Sequence, residues 1–215
     1  MLLAKFRIAV ALCLLSAASA VPSKAAIVFE SASFSGIDTG EYIVQADRFI
    51  GAAFTISQTT SITGIGAQFG GFPAGTIFAA IVPLSSPTGF PSLLPDQLAG
   101  ASIADVVFSV PGGIHDLTEP LSVTLAPGNY GLVFGSGVFG ADGFAGLGDG
   151  NDTIGSPFFF QSLFSDEWQP QNPQGIRVFV LGSAVPEPAT WAEMVLGFAG
   201  LGFAFRQSRR KVSLA

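Results

Sequence analysis

The chain has 215 residues, 49% of them hydrophobic and only 11% charged, which excludes an intrinsically disordered acidic protein and provides for one domain with a sizeable core. Its net charge of −6 conceals a stronger asymmetry: residues 26–184 hold thirteen acidic residues against two basic ones, Arg48 and Arg177. Like-charge repulsion from phosphates excludes nucleic acid as a partner of that stretch.

Residues 1–25 have the three parts of a secretory signal. Lys5 and Arg7 give the positive start, Ile8 to Leu15 the apolar run, and Ala18-Ser19-Ala20 a small-residue cleavage site. Ser23-Lys24-Ala25 offers a second cut. The alternative, an uncleaved anchor helix, has an apolar run too short for about 30 Å of hydrocarbon. Cys13, the single cysteine, lies inside that run. Cleavage leaves a mature chain with no thiol, no disulfide and no cysteine metal site.

From residue 26 to 183 the recurring signal is alternation. Phe54 and Ile56 alternate with Thr55 and Ser57, and Leu121, Val123 and Leu125 with Ser122 and Thr124. Runs such as Ile77 to Val82 and Ile176 to Leu181 are apolar on both faces, as inner strands are. The pattern predicts strands at about 26–34, 42–57 (bent at Gly51), 61–69, 75–83, 101–110, 117–125, 128–136, 157–163 and 175–182. No helical stripe intervenes, so the fold class is all-β: an antiparallel β-sandwich, jelly-roll-like, for residues 26–183. Phe makes up 21 of the 25 aromatic residues; with no hydroxyl to satisfy, it fills such a core well. Two segments read as long loops. Residues 84–99, punctuated by Pro87, Pro91 and Pro95, read as a stiff surface loop, and residues 137–156 as a Gly/Asp/Asn-rich one.

Several groups of residues bear on chemistry. Gly148-Asp149-Gly150-Asn151-Asp152-Thr153-Ile154 resembles one unit of the Gly/Asp nonapeptide that binds calcium in RTX β-rolls. Carboxylates and turn carbonyls are the hard oxygen ligands calcium takes, which makes Asp142, Asp149 and Asp152 the candidate metal ligands. That architecture needs stacked copies and one is present, so a plain Gly/Asn/Asp turn is the competing reading. Trp168, in Asp166-Glu167-Trp168-Gln169, is the candidate for stacking on a sugar ring; its alternative is an aromatic that covers the core at a strand end. His115-Asp116 lacks a nucleophile motif, because Phe134 stands where Gly-x-Ser-x-Gly before Ser136 needs glycine. Glu30, Glu41, Glu119 and Glu167 are available as a glycosidase carboxylate pair, but spacing along the chain places no two of them together. The expectation is therefore a domain with no catalytic site and no required cofactor, calcium at the three aspartates being the exception to test.

The C-terminal thirty residues are the most specific. Val185-Pro186-Glu187-Pro188-Ala189-Thr190-Trp191-Ala192 precedes an apolar run to Phe205, and then Arg206, Arg209, Arg210 and Lys211. Two prolines make a stiff extended stub, Trp191 suits a membrane–water interface, and the basic cluster stays cytoplasmic by the positive-inside rule. In that three-part order, Pro186, Glu187, Pro188, Trp191 and Ala192 resemble the PEPxxWA form of the PEP-CTERM sorting signal of Gram-negative bacteria. The resemblance covers residues 185–211. It implies recognition by an exosortase that removes the tail, with delivery to the cell surface or extracellular matrix and an association with exopolysaccharide and biofilm. Glu193 departs from the pattern, which has an apolar residue there; next to Trp191 it falls at the interfacial edge, where a carboxylate costs less than at the bilayer centre. The span about 191–205, with Gly197, Gly200 and Gly202 inside it, is short for a permanent transmembrane helix and suits a transient inner-membrane anchor.

The sequence thus reads as signal (1–25), β-domain (26–183) and sorting tail (184–211): an exported, non-catalytic surface or matrix protein. A carbohydrate-binding module and a polysaccharide-active enzyme are its rivals.

Overall fold

A computed structural model of the chain describes residues 26–37, 39–163, 167–185 and 195–202. The signal segment, the motif residues Pro186, Glu187, Pro188, Trp191 and Ala192, and the basic residues Arg206, Arg209, Arg210 and Lys211 lie outside the described residues.

The described chain is mostly β, in antiparallel sheets that curl into a half-barrel. In order the strands are β1 (Ala26–Glu30), β2 (Ala32–Ser33), β3 (Glu41–Val44), β4 (Arg48–Ile56), β5 (Thr60–Ala74), β6 (Ile77–Leu84) and β7 (Ala104–Phe108). They continue with β8 (His115–Leu125), β9 (Gly128–Gly135), β10 (Phe144–Gly148), β11 (Asp152–Thr153), β12 (Phe159–Leu163), β13 (Gln169–Gln171) and β14 (Val178–Ala184). One six-stranded sheet runs β1-β14-β5-β10-β3, with β8 on the other edge of β5; the second runs β13-β12-β4-β9-β6-β7. The alternation read from the sequence orients them. Ile62, Ile65, Ala67, Phe69, Val178 and Val180 of the first sheet share one buried cluster with Ile50, Phe54, Ile77, Ile81, Leu132 and Phe134 of the second.

Three expectations are revised. The strand expected over 42–57 is two, β3 and β4, separated by a tight turn in which the Gln45 and Arg48 backbones bond to each other. Residues 84–99 are not a free surface loop. They carry a short 3₁₀ helix (Pro95–Gln97) and the single-turn helix α1 (Leu98–Ala101), and they fold back over the outer face of the second sheet. There Leu84 and Leu98 join Phe49, Phe78 and Phe160 in a second buried cluster, with Phe90 packed against it. Nor are residues 137–156 one loop, because β10 lies inside the first sheet between β5 and β3, with Ala145 and Leu147 fully buried.

Strand β5 is long enough to take two partners in series along one edge. Residues Thr60 to Ala67 pair with β14, and Phe69 onward with β10. Gln68 sits at the exchange, its backbone N–H donating to Arg177 O (3.1 Å). At that point β10 and β14 diverge, and the chain leaving one and entering the other is free to form a site.

Residues 195–202 are helical, and all eight are exposed, Val195, Leu196, Phe198 and Leu201 among them. Among the described residues no helix is long and apolar enough to cross a membrane.

Candidate functional site

An open cleft of about 440 Å³ lies where β10 and β14 part, lined by Thr39, Asp149, Gly150, Asn151, Asp152, Thr153, Gln174 and Gly175. Three segments distant in sequence meet there, and Asn151 joins them. Its backbone N–H and its Nδ2 both donate to Gly175 O (3.2 and 2.8 Å). Its Oδ1 accepts from the Ser35 N–H (3.0 Å) and the Ser35 hydroxyl (3.3 Å). With 7% of its surface exposed, Asn151 is a structural pin at the floor of the cleft. Gly150 and Gly175 have φ of +91° and +71°, and a Cβ on Gly175 would lie 2.7 Å from the Gly150 nitrogen. Only glycine meets both demands at position 175.

The walls are hydroxyl, amide and carboxylate. Thr39 Oγ1 donates to Asp149 Oδ1 (2.6 Å), and the Asp149 N–H is held by Gly40 O (2.9 Å). Gly175 N–H donates to Thr153 Oγ1 (3.1 Å). Asp152 and Thr153 form β11, paired with β2 and exposed. Such a surface offers hydrogen-bond acceptors with negative charge, and among the described residues no cationic side chain lines it.

Of the three candidate calcium ligands, Asp149 and Asp152 therefore share the cleft. Asp142 does not line it: it precedes β10 and accepts a hydrogen bond from Thr76 Oγ1 (3.1 Å) at the other end of that strand. The six residues between Asp142 and Asp149 include all of β10, whose extended backbone carries the two carboxylates apart. Among the described residues no three acidic, histidine or cysteine side chains form a metal-binding group.

Trp168 stands elsewhere, in the second buried cluster. Its ring packs edge-on against Phe160 (centroids 5.3 Å apart), and its Nε1 donates to Leu93 O (2.8 Å). It is half-buried and ties the 84–99 segment down onto the second sheet.

His115 and Asp116 diverge. The His115 Nε2 lies 2.7 Å from Gly112 O, whereas Asp116 takes a two-pronged contact from Arg177, Nε to Oδ1 at 2.8 Å and Nη2 to Oδ2 at 3.2 Å. Arg177 also pairs with Glu30, donates to Ala32 O (2.6 Å) and stacks over the Phe179 ring (4.6 Å). Two of the strand carboxylates are thus committed to a buried guanidinium. Burial pushes the Asp116 and Glu119 carboxyls above their ordinary values and the Arg177 guanidinium below its own. Ser136 is fully buried, out of reach of a substrate.

The Gly-Asp-Gly-Asn-Asp run was the one local signal for the cleft. Thr39 and Gln174 come from segments more than a hundred residues apart and carry no such signal. Comparison of the chain with protein-family models, with curated proteins and with solved structures finds no match.

Proposed function

We propose that this chain is an exported, non-catalytic surface or matrix protein of a Gram-negative bacterium. In this reading it is held briefly at the inner membrane by residues 191–205 and released or transferred by an exosortase acting at Pro186-Glu187-Pro188. Its β-domain is a jelly-roll-like sandwich, and its setting is exopolysaccharide or biofilm. The observation that carries the reading is the helical stretch 195–202, whose exposed Val195, Leu196, Phe198 and Leu201 find no partner surface among the described residues. Apolar side chains on every face of a helix are expected where lipid is the solvent. The order of exported signal, β-domain, PEP motif, apolar run and basic tail supports it from the sequence. Its test is expression of the full chain in a bacterium with and without an exosortase. Mass spectrometry of the surface-delivered protein is expected to show loss of the tail only with the enzyme, and loss blocked by Pro186→Ala with Pro188→Ala. Surface protein that keeps its full tail overturns the processing claim.

The cleft favours a second, compatible reading, that the domain binds carbohydrate there. Hydroxyl, amide and carboxylate walls match the hydroxyls of a glycan. Retention of the domain on exopolysaccharide of the producing organism, with calcium and again with chelator, tests this and the two-aspartate cation reading together. Asp149→Ala and Asp152→Ala are expected to reduce retention about tenfold or more, the loss of one or two charge-assisted hydrogen bonds. Unchanged retention in both variants overturns it.

A further inference from the structure

The topology gathers both chain exits at one end of the domain. The described chain enters at Ala26, paired with Gly182, and leaves at Val185, whose N–H donates to Thr59 O (2.8 Å) in the β4–β5 turn. The β8–β9 turn is beside it, since Leu125 pairs with Thr60 and Gly128 with Ile56. The segment after β6 leaves from the same end, because Leu84 pairs with Asn129 at the start of β9.

Among the described residues that end carries no charge. Residues 26–29, 55–62, 82–91, 120–131 and 180–185, which build it, contain no Asp, Glu, Lys or Arg. Its surface is instead the exposed Ile27, Gln58, Thr59, Thr88, Pro127 and Val185. Among the described residues, the acidic side chains on the strands lie along the middle of the domain and towards the opposite end, where Asp47 occupies the β3–β4 turn and Asp142 sits beside Thr76 ahead of β6. In a stretch with thirteen acids and two arginines, such a gap is a property of one surface and not of the composition.

We infer that this uncharged end is a bilayer-facing surface, on which the domain rests against lipid headgroups while the tail holds it. The inference rests on the proposed membrane anchoring of the tail. Chain length supports it: ten residue steps separate Val185 from Val195, so an extended connection spans at most about 35 Å, and the domain cannot stand far from a helix seated in lipid. Charge supports it as well. An acidic body is repelled by anionic headgroups over about a Debye length, and this end is the one that can approach without that cost.

The test uses the full chain with Cys13→Ser and single fluorophore-labelled cysteines. Gln58→Cys and Thr88→Cys report the uncharged end, Asp47→Cys and Ala74→Cys the opposite one, about 40 Å away along β5. The protein is mixed with phosphatidylcholine–phosphatidylglycerol vesicles that carry a lipid-borne quencher, and bound protein is collected by flotation. The expected result is flotation with several-fold stronger quenching at positions 58 and 88 than at 47 and 74. Adding Gln58→Glu and Asn129→Asp to the Thr88→Cys protein is expected to abolish that difference while flotation persists. Flotation with equal quenching at both ends overturns the inference and leaves the anchoring reading standing. Failure to float overturns the anchoring reading and this inference with it. Shielding of position 58 only in vesicles that also contain an exosortase assigns the surface to that enzyme and overturns the lipid assignment.

Discussion

Arg177 gathers three strands on one guanidinium: Glu30 of β1 and Asp116 of β8 from the first sheet, and the Ala32 carbonyl of β2, which pairs with β11. It is 5% exposed, so its removal strands two carboxylates in a desolvated site. Arg177→Met is expected to cost about 3–5 kcal/mol in urea denaturation, the range for breaking a buried pair from one side. Replacing Glu30 and Asp116 by Gln and Asn in the same protein recovers much of that loss, because no unpaired charge is left. Tyr42 gives the domain a limit at high pH. Burial raises its phenol from 10.0 to about 12, with Arg48 pulling the other way, and its hydroxyl donates to Gln161 Oε1 across to the second sheet. A folded-state pKa above the unfolded one means that the stabilisation is fully present below pH 10.0 and is lost as pH rises towards about 12. Stability profiles of the protein and of Tyr42→Phe should therefore run parallel at a constant offset below pH 10 and change relative to one another between pH 10 and about 12 as the protein loses stability that Tyr42→Phe keeps; profiles that stay parallel across that window would remove Tyr42 from the account.

At the scale of elements, the 84–99 segment behaves as part of the core and not as a loop. Trp168→Ala removes both its anchor to Leu93 O and the ring on Phe160, with an expected loss of about 3 kcal/mol, the low end for a buried Trp. Trp168→Phe keeps most of the packing and is expected to lose about 1 kcal/mol with the hydrogen bond. A Trp168→Ala protein of unchanged stability that loses glycan retention would instead favour the sugar-stacking role. The strands that alternate Phe, Ile, Leu or Val with small polar residues were legible in the sequence because burial of one face dictates that pattern. Strand β10 was not: Phe144-Ala-Gly-Leu-Gly148 is short and glycine-rich, with weak strand preference of its own. It is a strand because β5 and β3 flank it. The cover supplied by Leu98 and Phe90 was hidden for a related reason, since proline spacing reports local stiffness and says nothing of which sheet face lies beneath. Asp149 and Asp152 were legible as a pair from their turn. The separation of Asp142 was not, because it depends on the intervening residues being extended.

For the whole molecule, the β-domain closes at Ala184, one residue before the chain turns from Val185 into the motif. Removal of residues 186–215 is accordingly expected to leave the thermal unfolding midpoint of the domain within about 2 °C of its original value, a change below 1 kcal/mol. Ending the chain at Gly175, which removes β14, is expected to abolish cooperative unfolding, because β14 fills the centre of the first sheet between β1 and β5. Circular dichroism melts of both truncations check this, and a cooperative melt in the shorter one would contradict the topology.

That same central place of β14 sets an order in time. Among the described strands β1 is the first to leave the ribosome, and it pairs with β14, the last. During synthesis the opening strand must wait for nearly the whole domain to follow before β14 can pair with it. The fold is sealed only when residue 184 arrives, so the domain completes itself with the last strand the ribosome delivers to it.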